Sequence, residues 1–170
     1  AFYECASLHS ISFPDSLKYI NNCAFSSTNI EELYITSSLE KIDVETLEEM
    51  HNLKNIIVSS QNKRYEFIDG KYLVYKSELN SIVFSLPDIE EVNIQSNIST
   101  ISQDAFHNRN NLKTVIFNEN SILTSIEEYA FSNCTSLNNI SIPNSVKYIH
   151  NSAFYNCSNL TSFIINDNSE

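Results

Sequence analysis

The chain is 170 residues long, 42% hydrophobic and only 18% charged, with a formal net charge of −11 and a single glycine. That balance excludes the clustered Lys and Arg that nucleic-acid phosphates require and disfavours anionic membrane surfaces. It leaves room for a basic protein partner, or for simple solubility. No apolar run approaches the roughly 18 residues of a membrane span, and no signal-peptide pattern opens the chain.

Taken in order, the chain repeats two words. Ala1-Phe2 opens it, inside a unit, so the sequence reads as a fragment of a longer array. Then comes Leu8-Ile11-Phe13, a polar turn Pro14-Asp15-Ser16, an apolar pair Leu17/Ile20, and Ala24-Phe25. The next unit carries Ile30-Leu33-Ile35 and Leu39/Ile42, and puts Thr46-Leu47 where Ala-Phe is due. The third carries Leu53-Ile56-Val58. After residues 59–88 the rhythm resumes with Ile89-Val92-Ile94, Ile98/Ile101 and Ala105-Phe106. Leu112-Val115-Phe117, Leu123/Ile126 and Ala130-Phe131 follow, with two extra residues near 118–121 that should bulge a turn. Leu137-Ile140-Ile142, Val146/Ile149, Ala153-Phe154 and Leu160-Phe163-Ile165 complete the series. The step is 22, 23 or 25 residues, broken once.

An L-x-x-I-x-I word at this period is the mark of a leucine-rich-repeat solenoid. Its strands, 8–13, 30–35, 53–58, 89–94, 112–117, 137–142 and 160–165, alternate with period two and should pair in parallel as one continuous sheet. The expected fold is α/β-type: a curved parallel β-sheet on the concave side, loops and short 3-10 or helical turns on the convex side. The Ala-Phe positions should stack, with Phe2, Phe25, Phe106, Phe131 and Phe154 in one buried row and Leu47 in the same column. Residues 1–170 form one domain, with repeats over 1–58 and 89–170. The insertion, about 59–88, contains two strand-like runs, 67–75 and 79–84, around a polar link and reads as a β-hairpin. The lone glycine, Gly70, marks a bulge or tight turn near its start. Asn fits turns that need positive φ when glycine is scarce; genomic codon bias explains its abundance equally well.

The run AFSNCTSLNNISIPNSVKYIHNSAF, residues 130–154, resembles the BspA-type leucine-rich repeats. So does the insertion, with Ile68-Asp69-Gly70 ahead of Leu73 and Tyr75, then Leu79 and Ile82-Val83-Phe84. The resemblance covers nearly the whole chain. It implies a cell-surface or secreted protein whose relatives adhere to host cells and extracellular-matrix proteins. It transfers no binding residue.

Chemistry-bearing residues are sparse. Cys5, Cys134 and Cys157 share one repeat position with Thr28, Met50 and Arg109, which reads as packing; free thiols are expected at these three and at Cys23. His9, His51, His107 and His150 lack ligand spacing, so no metal or other cofactor is called. No catalytic motif is present and no enzyme is expected. The acidic pairs, such as Glu31-Glu32 and Glu90-Glu91, read as a solvated face. Five Asn-x-Ser/Thr sequons, at Asn97, Asn133, Asn139, Asn156 and Asn159, are about as many as this composition produces by chance, and carry no localisation.

The functional expectation is a protein-binding or adhesion module using the concave sheet. Positions three and five of each strand word should face outward. Tyr34, Ile57, Ile116 and Ile164 would then be apolar anchors, with Glu32 and Glu91 as an acidic rim, and Tyr72 and Tyr75 of the hairpin as a second surface. β propensity alone also accounts for outward Ile. The expected partner is a protein, extracellular-matrix or host-cell by the resemblance, with no nucleic acid and no membrane insertion. Uncapped terminal strands make end-to-end self-association a further expectation. The rival reading is an intracellular scaffold, cytoplasmic, using the same face; free thiols suit that compartment.

Overall fold

Alternating apolar residues become strands wherever a neighbouring repeat supplies the ladder. The computed structural model describes residues 1–77 and 79–165. These form β1 (Tyr19–Ile20), β2 (Glu32–Ile35), β3 (Lys41–Ile42), α1 (Val44–Glu48), β4 (Asn55–Val58), β5 (Tyr65–Ile68), β6 (Tyr72–Tyr75) and β7 (Ser81–Ser85). They continue with β8 (Glu91–Ile94), β9 (Thr100–Ile101), β10 (Thr114–Phe117), β11 (Ser125–Ile126), β12 (Asn139–Ile142), β13 (Tyr148–Ile149) and β14 (Ser162–Ile165).

Six of the seven strand words are strands, paired in parallel and in register, as with Leu33 beside Ile56 and Ile140 beside Phe163. The first word, 8–13, is not a strand. It lies on the outermost turn, with partly buried Leu8, Ile11 and Phe13, and receives the Asn29 N–H on Leu8 O at 3.0 Å. The expected continuous sheet is also broken: β2-β4 and β14-β12-β10-β8 are separate sheets. The insertion stands between them.

The second apolar pair of each unit makes another parallel ladder, not a helical layer. β1 pairs with β3, and β9, β11 and β13 pair in series. The short strands bury their Ile on the core side at Ile20, Ile42, Ile101 and Ile126, while Ile149 of β13 is 41% exposed. The α/β expectation is corrected accordingly. The described residues hold one five-residue helix, α1, where Thr46-Leu47 replaces Ala-Phe.

The Ala-Phe corner is a tight turn flanked by left-handed residues. Cys23, Asp104, Tyr129 and Ser152 precede Ala at φ of 54–58°, and Glu4, Ser27, Asn108, Asn133 and Asn156 follow at 55–59°. Asn supplies only part of this set, so the positive-φ account of its abundance is incomplete. Between them the backbone bonds to the next repeat: Phe106 N–H to Ala130 O and Phe131 N–H to Ala153 O, both 2.8 Å. Ala fits because the Phe ring must lie flat over the ring below. Phe106, Phe131 and Phe154 stack at 4.9 and 5.3 Å with planes within 7°. Phe2 and Phe25 form a separate stack at 5.6 Å. The rings thus stack in two groups, and Leu47, fully buried, stands at the Phe position of the intervening unit. Phe2 is 41% exposed because it caps an end.

The insertion is a three-stranded antiparallel meander, β5-β6-β7, rather than a two-stranded hairpin. The run 67–75 breaks at Asp69-Gly70, both left-handed (φ 53° and 65°), with Lys71 N–H closing on Ile68 O at 2.9 Å. Two consecutive positive φ values make a type I′ turn, which suits Asp-Gly. β7 then pairs parallel with β9, so the meander joins the short-strand ladder. The two extra residues near 118–121 do bulge a turn, with Asn120 left-handed at φ 58°.

Candidate outward-face interaction site

Ladder register sets the outward face. In β2, β8 and β12 exposure alternates strictly, with the first and third strand residues out and the second and fourth buried. Tyr34 lies directly beside Ile57, Ile116 beside Asn93, and Ser141 beside Ile164. Tyr34, Ile57, Ile116 and Ile164 are all more than two-fifths exposed. They fall into two groups: Tyr34 and Ile57 on one sheet, Ile116 and Ile164 on the other. An open depression of about 1040 Å³ lies beside Ile116, lined also by Asn139, Ser141, Pro143 and Ile165, with the 118–121 bulge as one wall.

The acidic pairs are bound along the ladder. Glu31 meets Lys54 at 2.9 Å and Glu90 meets Lys113 at 2.8 Å. Glu32 accepts from Asn55 Nδ2 at 2.9 Å, and Glu91 pairs with Lys71 at 3.4 Å. All remain at the surface, where such pairs contribute little to stability. Glu32 and Glu91 lie on separate sheets, each partly matched by a partner within the chain.

Tyr72 does not belong to the surface. It is fully buried, and burial pushes its phenol up to about 12. Its strand is apolar on both faces because it sits inside the meander. The Tyr72 hydroxyl donates to Asn93 O at 3.2 Å and accepts from Gln95 N–H at 3.3 Å. These are backbone groups on the β8 edge that faces the insertion. Tyr65 acts likewise, accepting from Ile42 N–H of β3 at 3.0 Å. Tyr75 is half-buried against Tyr65, ring to ring at 5.5 Å. Asn62, also buried, donates to Thr36 O and Leu39 O at 2.7 and 3.1 Å.

A second buried polar cluster was not anticipated. Arg109, in the position where other repeats place Cys or Thr, is 4% exposed. Its guanidinium donates to Ser85 O, Ser85 Oγ and His107 O at 2.6–3.1 Å and lies 5.1 Å from the centre of the Phe84 ring. Burial lowers its pKa to about 10. Glu48 of α1 is pushed up to about 7, chiefly by burial and then by Asp104, with Arg109 opposing. The sequence signal for this cluster was the lone Arg in a column of small and apolar residues.

Cys134 and Cys157 are free thiols that donate to Phe106 O and Phe131 O of the preceding repeat, each at 3.1 Å. Cys5 and Cys23 are free and exposed. Among the described residues no helix is long and apolar enough to cross a membrane.

The BspA-type leucine-rich repeat region model matches six copies, over residues 1–86 and 77–170. No curated protein matches the chain. Three solved structures share the fold. A leucine-rich repeat protein from Eubacterium ventriosum is 24% identical with a TM-score of 0.77, over 95% of this chain and 43% of that one. The pneumococcal vaccine antigen PcpA is 20% identical with a TM-score of 0.70, over 91% and 44%. A leucine-rich cell surface protein from Faecalibacterium prausnitzii is 22% identical with a TM-score of 0.60, over 97% and 55%. The chain thus spans about half the length of each. With the repeat match running from end to end, the chain belongs to the BspA-type leucine-rich repeat family.

Proposed function

We propose that the chain is a protein-binding module of a cell-surface adhesin, engaging an extracellular-matrix or host-cell protein through the outward face of its strand-word sheets. The observation that carries this reading is the outward exposure of Tyr34, Ile57, Ile116 and Ile164 at register positions where the fold has no need of apolar side chains. Exposed aromatic and aliphatic residues with a polar surround are the usual makings of an interface. Surface placement is supported by the descriptions of two structural relatives, a cell surface protein and a vaccine antigen.

The test is to replace Tyr34, Ile57 and Ile116 together by Ser. Circular dichroism first establishes that the fold survives, and binding to immobilised extracellular-matrix proteins is then compared. The wild-type chain should bind at least one of them, and the triple variant should lose about tenfold or more, the loss of a few buried apolar side chains. Equal binding by both proteins places the interface elsewhere on the solenoid.

A further inference from the structure

The ladders β8–β10 and β12–β14 each align four residue pairs, while β10 and β12 align one, Thr114 beside Asn139. Two features of the sequence part these strands beyond that pair. The two extra residues near 118–121 lengthen the turn that leaves β10, with Asn120 left-handed at φ 58°. Pro143 then brings no N–H to the position where Asn118 donates to Ile94 O at 3.0 Å and Ser59 to Ile35 O at 2.9 Å. The parted ends, Ile116 and Phe117 on one side and Ser141 and Pro143 on the other, line the depression of about 1040 Å³.

Its lining is polar, and uncharged except at Glu119. The Asn118, Asn120, Asn139 and Asn144 amides are exposed, and their side chains make no hydrogen bond among the described residues. Other Asn side chains tie one repeat to the next, as along Asn108, Asn133 and Asn156. Four Ser and Thr hydroxyls join the lining. That of Ser145 is buried with no partner among the described residues, a cost that a ligand hydroxyl reaching it would remove. Ile116 and Ile165, 47% and 63% exposed, add apolar surface beside Pro143.

This chemistry selects a ligand class. Among the described residues no Lys, Arg or His lines the depression, so an anion finds no countercharge. A single carboxylate does not hold a divalent cation. The centres of protein interfaces are rich in Tyr, Trp, Phe and Arg and poor in Ser, and this lining is the reverse. Amides and hydroxyls both donate and accept. So does every hydroxyl of a sugar, whose C–H faces also call for apolar contact. The volume stands at the upper end of the range for small-molecule sites, about 300–1,000 Å³, which suits several linked rings better than one. We infer that the depression between β10 and β12 is a binding site for an uncharged oligosaccharide. The inference goes beyond the protein-binding reading and does not depend on it; the two share only Ile116. Sialylated and sulfated sugars should be rejected, because Glu119 and the chain's net charge of −11 repel them.

The probe is an array of neutral oligosaccharides with their sialylated and sulfated counterparts, read with the intact chain. Neutral members should bind about tenfold or more tightly than acidic counterparts of the same core. Titration of the best neutral glycan at millimolar concentration, followed by NMR, should shift the side-chain amides of Asn118, Asn120, Asn139 and Asn144. Those of Asn108, Asn133 and Asn156 should stay in place. Asn118→Ala combined with Asn144→Ala should weaken binding about tenfold or more, because two hydrogen-bonding side chains are lost. No neutral glycan bound at millimolar concentration, equal binding of acidic ones, or shifts confined to other residues overturns the inference. So does a matrix protein stripped of its glycans that shifts these amides when no free glycan does; that result leaves the protein-binding reading standing. Failure of the protein-binding reading shows separately, as unchanged matrix-protein binding in a Tyr34→Ser, Ile57→Ser double variant, which leaves the depression untouched.

Discussion

In residues 89–165 each turn of the solenoid offers its backbone groups to a near-copy of itself, whereas residues 59–88 have no copy to offer and side chains take over. In the first region Phe106, Phe131 and Phe154 stack, and Asn, Cys and Ala corners recur in register. In the second, two phenols, the Asn62 amide and the Arg109 guanidinium bond to backbone that a repeat would otherwise have paired. The comparison shows what a solenoid needs in order to tolerate an interruption. Repetition pairs the backbone groups of successive turns at once; a break demands a dedicated donor or acceptor for each group left over.

If the regular region is held by ring stacking, removing its central ring should have the largest effect. Phe131→Ala should lower stability by about 3–5 kcal/mol in chemical unfolding. Phe2→Ala, at an exposed end of the other stack, should cost less than about 1 kcal/mol. Equal losses would mean that the corner does not stack as a column.

The seam is expected to fail through polar groups instead. Tyr72→Phe keeps the ring but strands Asn93 O and Gln95 N–H, and should cost about 1–3 kcal/mol with faster exchange of the Gln95 amide. Tyr75→Phe, whose hydroxyl meets the exposed Arg64 at 3.5 Å, should stay within about 0.5 kcal/mol of wild type. If the two variants matched, the phenol caps would be incidental.

The smallest expected effect is a pH dependence. Glu48 is raised from 4.5 to about 7 in the folded chain. Between those values the folded state holds more protons than the unfolded one, so stability falls as pH rises through that window. The Glu48 contribution is on the order of 1–2 kcal/mol after allowing for partial solvent access. Glu48→Gln should flatten that slope in thermal unfolding measured from pH 4 to 8, and an unchanged slope would assign it to another group.

The repeat, its parallel pairing and the outward residues were legible because each is written seven times, so noise at one unit is corrected by the others. The short-strand ladder was not. Two residues are too few to display alternation, and Leu17/Ile20 reads equally well as one face of a helical turn. The meander was half legible. Asp69-Gly70 signals a turn, but the run around it is apolar on both sides, which conceals the break and placed Tyr72 on the surface. The caps on β3 and β8 were beyond reach because a phenol replacing a strand leaves no pattern, only a tyrosine. The outward residues could be placed by register, because alternation fixes their face, while the repeat itself encodes no partner.

Three columns of side-chain rungs between repeats share a direction. Asn133 donates to Asn108 and Asn156 to Asn133, at 2.8 and 2.9 Å, and Asn52 donates to Asn29 at 2.7 Å. Cys134 and Cys157 reach back to Phe106 O and Phe131 O, and Lys54 and Lys113 to Glu31 and Glu90. At each of these positions the later unit gives the proton and the earlier one receives it. A unit turned end for end would take the thiol and the ammonium away from the carbonyl and carboxylate that they meet in the preceding repeat, although an Asn amide could flip to restore its rung. The polarity of these rungs therefore acts as a grammar for duplication: copies can be added or lost head to tail, and an inverted copy has no place in the sequence of stacks.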